Sequence, residues 1–210
     1  MKTRNLLPVF FAILAAASLA QQISQQTTAV CPLAEGGEPD DRASARVLYW
    51  DPKLDQSAGQ LAIDYGRPAW QKKYEDSATF DGMTKGKVWR MGSNFWTSLD
   101  TSLPLKISGK SVTPGYYFLG LARSADGTKW SLAFIDPAKV RAARGDAFEM
   151  ERAKVEFEAP VTVETATSIV DKLTITFTYK KETPTKVSLN IAWGNFLAQA
   201  PVDVDVTLAK

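Results

Sequence analysis

Apolar residues recur at every second position along much of the chain after Arg46, which is the spacing of a strand with one buried face, because successive side chains in a strand point to opposite sides. Leu61, Ile63 and Tyr65 alternate with Ala62 and Asp64, and Val155 and Phe157 flank Glu156. Leu173, Ile175, Phe177 and Tyr179 are separated by three threonines, while Val187, Leu189, Ile191 and Trp193 alternate with Ser188, Asn190 and Ala192. Val202, Val204, Val206 and Leu208 alternate with Asp203, Asp205 and Thr207. Two central segments, 116–122 and 130–135, are apolar on both faces and are joined by a stretch carrying Asp126-Gly127, a pair suited to a tight hairpin. Residues 108–110 and 181–185 predict further turns. One helix is predicted near 137–144, with Pro137 at its first position and Gly145 as its stop. Short strands with turns between them and no long helices predict an all-β protein, an antiparallel β-sandwich whose topology, jelly-roll or immunoglobulin-like, the pattern leaves open.

The first residues are written differently. Lys2 and Arg4 precede an apolar run over 6–14, and Ser18 and Ala20 flank Leu19, the three-part pattern of a secretory signal peptide over residues 1–20. The run falls short of the roughly 20 apolar residues that cross a bilayer, so no membrane span is expected after cleavage. Residues 21–45 are poor in apolar periodicity and hold Glu35-Gly36-Gly37-Glu38-Pro39-Asp40-Asp41, which predicts a flexible leader before a single domain over 46–210. Cys31 is the lone cysteine, so no disulfide can form within the chain. Val30 precedes it where an acylated cysteine would want a small residue, which favours a free thiol.

Composition narrows the setting further. The chain carries 25 Lys and Arg against 23 Asp and Glu, and residues 1–20 hold two of the basic ones and no acidic residue, so the remainder is formally neutral. A neutral domain offers no basic footprint for nucleic acid. The expectation is an exported protein, periplasmic or extracellular, with its oligomeric state open.

Four motifs occur in order: Ile63-Asp64-Tyr65-Gly66-Arg67-Pro68, then 86–94 reading GKVWRMGSN, then Ile107-Ser108-Gly109-Lys110, then Pro114-Gly115-Tyr116-Tyr117-Phe118. This series resembles the bacterial exported family catalogued as domain of unknown function 2911, with its Tyr-x-Arg-Pro strand end, Val-Trp-Arg-Thr-Gly-Ala-Asn loop, Gly-Lys turn and Gly-Thr-Tyr strand. The resemblance implies the fold and the exported setting and carries no activity. Met91 and Ser93 stand where threonine and alanine are expected, Phe95-Trp96 replaces a polar and small pair, and 71–85 is longer than the segment expected there.

Arg67, Arg90, Asn94 and Lys110 fall at strand ends or turns, where guanidinium forks and an amide suit a carboxylate, a phosphate or sugar hydroxyls. With Trp96 and Tyr65 they form the candidate ligand site. Pro68 keeps Arg67 extended, and Gly92 is expected to let the chain turn after Arg90. The competing reading is that both arginines pin the loop through backbone carbonyls or a carboxylate such as Asp64. Trp89, Trp130 and Trp193 lie within apolar alternation and are expected in the core, whereas Trp50, Trp70, Trp96 and Tyr74 are candidates for exposed platforms.

Catalysis is constrained by what the chain lacks. It has no histidine, hence no Ser-His-Asp triad, Cys-His pair or histidine zinc site. Asp64, Glu75, Asp76 and Asp81 are the carboxylates near the motifs that a glycosidase-like pair would draw on, but no spacing singles out a pair. Asp203 and Asp205 read as the solvated face of the last strand rather than a calcium site. No catalytic residue, metal ligand or cofactor is therefore assigned. The leading expectation is a non-catalytic binding or envelope-associated module for a small polar or carbohydrate ligand. A histidine-free hydrolase and a purely structural envelope protein are the alternatives.

Overall fold

The alternating segments form ten strands: β1 (Arg42–Asp51), β2 (Gln56–Gly66), β3 (Val88–Trp89), β4 (Thr97–Thr101), β5 (Leu105–Ile107), β6 (Lys110–Val112), β7 (Gly115–Arg123), β8 (Trp130–Ile135), β9 (Val155–Tyr179) and β10 (Lys186–Val204). The computed structural model describes residues 33–34 and 36–206. The expected signal peptide, Cys31, most of the expected leader and Leu208 lie outside the described residues. Strand β1 starts at Arg42, before the alternation becomes legible at Arg46.

Hydrogen bonding runs β1-β2-β4-β7-β8-β9-β10-β5-β6, with β3 added beside β7, and every pairing is antiparallel. The protein is thus all-β and antiparallel. The order is a meander apart from the β5–β6 hairpin, which leaves the β4–β7 pair and joins the far edge beside β10. Leu61, Ile63, Leu119, Leu121, Leu132 and Phe134 from one half of this path meet Leu173, Ile175, Leu189 and Ile191 from the other in a single core, each no more than 2% exposed. Each such side chain contributes about 1.5–3 kcal/mol through burial.

Strand β10 does not run straight. Gln199 Nε2 donates to Asn190 Oδ1 at 2.7 Å, although nine residues of extended strand would separate them by about 30 Å. Val204 N donates to Thr185 O at 2.9 Å and Lys186 Nζ pairs with Asp203 at 2.9 Å, so each step up one arm is matched by one step down the other. The strand therefore doubles back at Gly194, where φ is +60° and its register with β9 shifts. One arm lies beside the end of β9 (Ser188 opposite Thr178) and the other beside its middle (Gln199 opposite Thr162).

The turn at Gly194 is covered by an aromatic plug. After β2 come a 3-10 turn (Lys72–Glu75) and helix α1 (Ser77–Thr84), which starts because Asp76 accepts from Thr79 N at 2.7 Å. Trp70, Tyr74 and Phe80 from this segment pack on Trp193 and Phe196, with Trp70 edge-on to Trp193 at 5.0 Å. Trp89 stacks on Trp193 at 5.0 Å and Trp130 packs on Phe196. Trp70 and Tyr74, expected as exposed platforms, are part of the plug, whereas Trp50 is 52% exposed.

Strands β7 and β8 are apolar on both faces because both are covered. Helix α2 (Pro137–Ala142), the one expected from Pro137, and a 3-10 segment (Ala147–Arg152) lie over their outer side. Val140 and Met150 there pack with Phe118 and Ile135 in a second, smaller core, with Trp96 at its margin.

Candidate functional site

The 90–96 loop joins β3 to β4 and is held from within. Arg90 Nε donates to Gly92 O at 3.2 Å and its Nη1 to Asn94 O at 3.1 Å, while Thr97 Oγ1 donates to the Met91 carbonyl at 2.7 Å. The turn expected at Gly92 is made instead by Met91 (φ 55°) and Asn94 (φ 60°), two non-glycine residues in the left-handed region. Such residues cost of order 1 kcal/mol or more each and persist where their surroundings over-determine them. Met91 is fully buried, and the loop presses on the end of β2 so closely that a β-carbon on Gly66 would lie 2.2 Å from the Ser93 carbonyl oxygen.

Both ends of this loop are tied to charged neighbours. Asn94 Nδ2 donates to Asp40 Oδ2 at 3.1 Å, and Arg42 pairs with Asp64 while donating to the Trp96 carbonyl at 3.1 Å. Arg67 Nε donates to Leu173 O at 3.3 Å, and its Nη1 lies 3.9 Å from Asp41, which Lys172 also approaches at 2.6 Å. The hydrogen bond from Lys172, opposed by desolvation and helped by the charges of Lys172 and Arg67, holds the Asp41 carboxyl below its ordinary value. On the other side the Arg90 guanidinium lies 4.2 Å from the centre of the Phe148 ring. Burial pushes the Arg90 pKa down while the Asp146 charge opposes it.

The sequence-predicted residues therefore divide. Arg67, Arg90 and Asn94 are joined through the loop and the 40–42 segment, and each spends hydrogen bonds on the protein itself. Trp96 follows in the same loop, stacked on Phe118 at 4.6 Å. Tyr65 is 3% exposed, and its hydroxyl sits on the edge of β9, accepting from Ile175 N at 2.9 Å and donating to Ile175 O at 3.3 Å. Lys110 lies in the β5–β6 hairpin, its Nζ 5.9 Å from the centre of the Phe157 ring and apart from the loop contacts.

Beside Trp96 opens a cavity of about 400 Å³ between the outer face of β8 and the α2 region. Trp96, Ile135, Val140, Ala143 and Ala153 give it an apolar lining, and Lys139, Asp146, Glu149, Arg152 and Lys154 stand around it. Lys139 is paired to Glu156 at 2.7 Å and Arg152 to Glu149. Lys154 has no ion-pair partner among the described residues. Phe95 and Phe148 are 65% and 73% exposed, the first 5.9 Å from the Arg42 guanidinium and the second under that of Arg90. The sequence marks the helix at Pro137 as a connector and not as a wall of this cavity, and it does not single out Phe148. The signal was present in the two-faced strands β7 and β8, which need a cover, and in Val140 and Met150, isolated apolar residues in a charged stretch.

Three of the four carboxylates near the motifs, all but Glu75, are otherwise engaged. Asp64 pairs with Arg42, Asp76 caps α1, and Asp81 binds Lys85 and Arg123 at 2.7 Å each. Hydrogen bonds from Thr79 lower the Asp76 pKa, and hydrogen bonds from Lys85 and Arg123 lower that of Asp81. A general acid at neutral pH needs the opposite shift.

These features define an all-β antiparallel protein with a cleft of small-ligand size beside a strained loop. The chain belongs to the family described as Protein of unknown function (DUF2911), whose model matches residues 52–202 and so spans all four motifs and the cleft. No curated protein and no solved structure matches the chain. Among the described residues no helix is long and apolar enough to cross a membrane.

Proposed function

We propose that this protein is an exported, non-catalytic binding module that takes a small ligand in the cleft beside Trp96. The observation that carries this reading is the 90–96 loop, where two left-handed non-glycine residues support an exposed Phe95 and place Trp96 against a cavity of about 400 Å³. That volume falls within the roughly 300–1,000 Å³ of small-molecule sites, which pair apolar walls with a few polar groups. The ligand has an apolar face for Trp96 and Val140 and a polar edge for the charged rim, as a saccharide ring or a small aromatic acid has. Arg90 and Asn94 are positioning residues that hold the loop, and Arg67 holds the adjoining 40–42 segment. Export is supported by Lys2 and Arg4 ahead of the apolar 6–14 run and the Ser18-Leu19-Ala20 end. Recovery of the protein outside the cytoplasm with an N-terminus near Gln21 tests it.

The binding reading is tested by thermal shift of the purified protein against sugars, small carboxylates, aromatic acids and phosphate. A compound at a hundred times its Kd adds about 2.7 kcal/mol and raises Tm by about 5–10 °C. The shift should vanish in Ala143→Trp, which places an indole in the cleft from an exposed position. No shift at concentrations well above millimolar, or an equal shift in Ala143→Trp, overturns the reading.

A further inference from the structure

The doubling of β10 has built a second surface, away from the cleft. Because the two arms of β10 lie side by side and each is bordered by β9, four strand segments present their outward side chains in one sheet face. A groove of about 770 Å³ runs over this face. Its floor carries Thr162, Gln199, Ser188 and Thr178, one from each segment in spatial order. Neighbouring strands stand about 4.8 Å apart, so the row extends about 14 Å.

The polar groups of this row are ordered before any ligand arrives. Asn190 is the hub: its Oδ1 accepts from Gln199 Nε2 at 2.7 Å and from Ser188 Oγ at 3.2 Å. Its Nδ2 donates to Thr178 Oγ1 at 3.1 Å and to the Ser188 carbonyl at 3.2 Å. These bonds leave Gln199 Oε1 as an acceptor, the Ser188 oxygen as an acceptor and the Thr178 hydroxyl hydrogen as a donor. Fixing side chains in advance lowers the ordering entropy that binding must overcome. The charged side chains at the margins are two of each sign, Glu164 and Asp203 against Lys180 and Lys186, and Lys186 is already paired with Asp203 at 2.9 Å.

We infer that this face is a binding site for an extended neutral polysaccharide. A chain of pyranose rings supplies hydroxyls that both donate and accept, matching the mixed row. A row of groups at strand spacing suits a repeating polymer better than a compact ligand, and the balanced margins give an anionic polymer no advantage. The site shares no residue with the Trp96 cleft, and the inference stands whether or not that cleft binds a ligand.

The test is native affinity electrophoresis of the whole protein through gels containing hydroxyethyl cellulose, mixed-linkage β-glucan, xylan or galactomannan, with a gel lacking polysaccharide as reference. Retardation in at least one neutral polymer is expected. Asn190→Ala and Gln199→Ala should each weaken it about tenfold or more, and Ala143→Trp should leave it unchanged. Circular dichroism melting of each variant separates lost binding from lost fold, and Thr162→Arg, an exposed replacement that obstructs the floor, gives a second route to the same answer. The inference is overturned by mobility unchanged in every neutral gel, by retardation that folded groove variants leave intact, by retardation confined to an acidic polymer and abolished by salt, or by loss of retardation in Ala143→Trp. That last result would move the sugar site to the cleft.

Discussion

Replacing Gly194 by alanine puts a methyl group where the indole of Trp70 lies. The added β-carbon would stand 2.0 Å from Trp70 Cδ2 and 2.2 Å from Cε2, well inside contact distance, so the ring must leave. The backbone adds its own penalty, because Gly194 has φ +60° and a left-handed non-glycine residue costs about 1–2 kcal/mol. Trp70 packs with Tyr74, Phe80 and Trp193, and loss of a large aromatic from such a cluster costs about 3–5 kcal/mol. The expected loss for Gly194→Ala is therefore about 4–7 kcal/mol, a large fraction of the stability of most domains. Urea unfolding followed by tryptophan fluorescence measures it. The mechanism is separable from generic strain by a double-mutant cycle with Trp70→Ala. If alanine acts by expelling the indole, Gly194→Ala in the Trp70→Ala background should cost only the backbone share, about 1–2 kcal/mol. Additive losses, or a single-mutant loss under 1 kcal/mol, would refute the packing argument.

Tyr65→Phe should cost about 1–3 kcal/mol, because it strips the Ile175 N–H and carbonyl of their buried partner, and amide hydrogen exchange at Ile175 should accelerate. At Asn94, alanine should be about 1 kcal/mol less stable than glycine in urea melts, since both variants lose the Asp40 bond and only alanine pays for φ 60°. Burial, reinforced by Tyr179, pushes the Tyr49 phenol up from 10.0 to about 12, so the unfolded chain releases that proton first. Its contribution is complete below pH 10 and lost as pH rises from 10 towards 12. The fall in urea midpoint over that window should be shallower in Tyr49→Phe than in the parent.

Much of the fold was readable because alternation is a local signal. The segments around Leu61, Leu121, Phe134, Leu173 and Leu189 are strands for the reason their pattern gives, and Pro137 starts a helix as its φ preference requires. The elements that escaped are those whose cause is distant. Helix α1 has only Phe80 and Met83 turned to the core, so no apolar stripe announces it, and Asp76 reveals itself as a cap only once the helix exists. The doubling of β10 leaves its alternation unbroken through Trp193, and Gly194 is the sole local mark of a turn that brings Asn190 to Gln199. The cleft escaped for a related reason. Its walls come from the 90–96 loop, β8 and the α2 region, and residue type alone cannot assign Trp96 to a cavity, Trp70 to a plug or Trp50 to the surface.

The two arginine motifs answer the question of ligand or scaffold differently. At the end of β2 and just beyond it, Tyr65, Arg67, Pro68 and Trp70 line one edge of β9: the Tyr65 hydroxyl serves Ile175, Arg67 Nε reaches Leu173 O, Leu173 N donates to Pro68 O at 3.0 Å, and Trp70 N donates to Asp171 O at 2.6 Å. Pro68 O also accepts from Trp193 Nε1 at 2.9 Å. An unpaired strand edge invites association with other chains, and here side chains and an extended tetrapeptide close it. This is a complete structural account of the Tyr-x-Arg-Pro segment. The second motif has no equally complete one. The hydrogen bonds of Arg90 go to carbonyls of its own loop and maintain its conformation, while its guanidinium stacks on Phe148, and that conformation leaves Met91 and Asn94 at positive φ and Phe95 in solvent. A loop needed only to connect β3 to β4 gains nothing from left-handed residues and an exposed phenylalanine. The free energy held in them is accounted for if the loop must present Trp96 to the cleft.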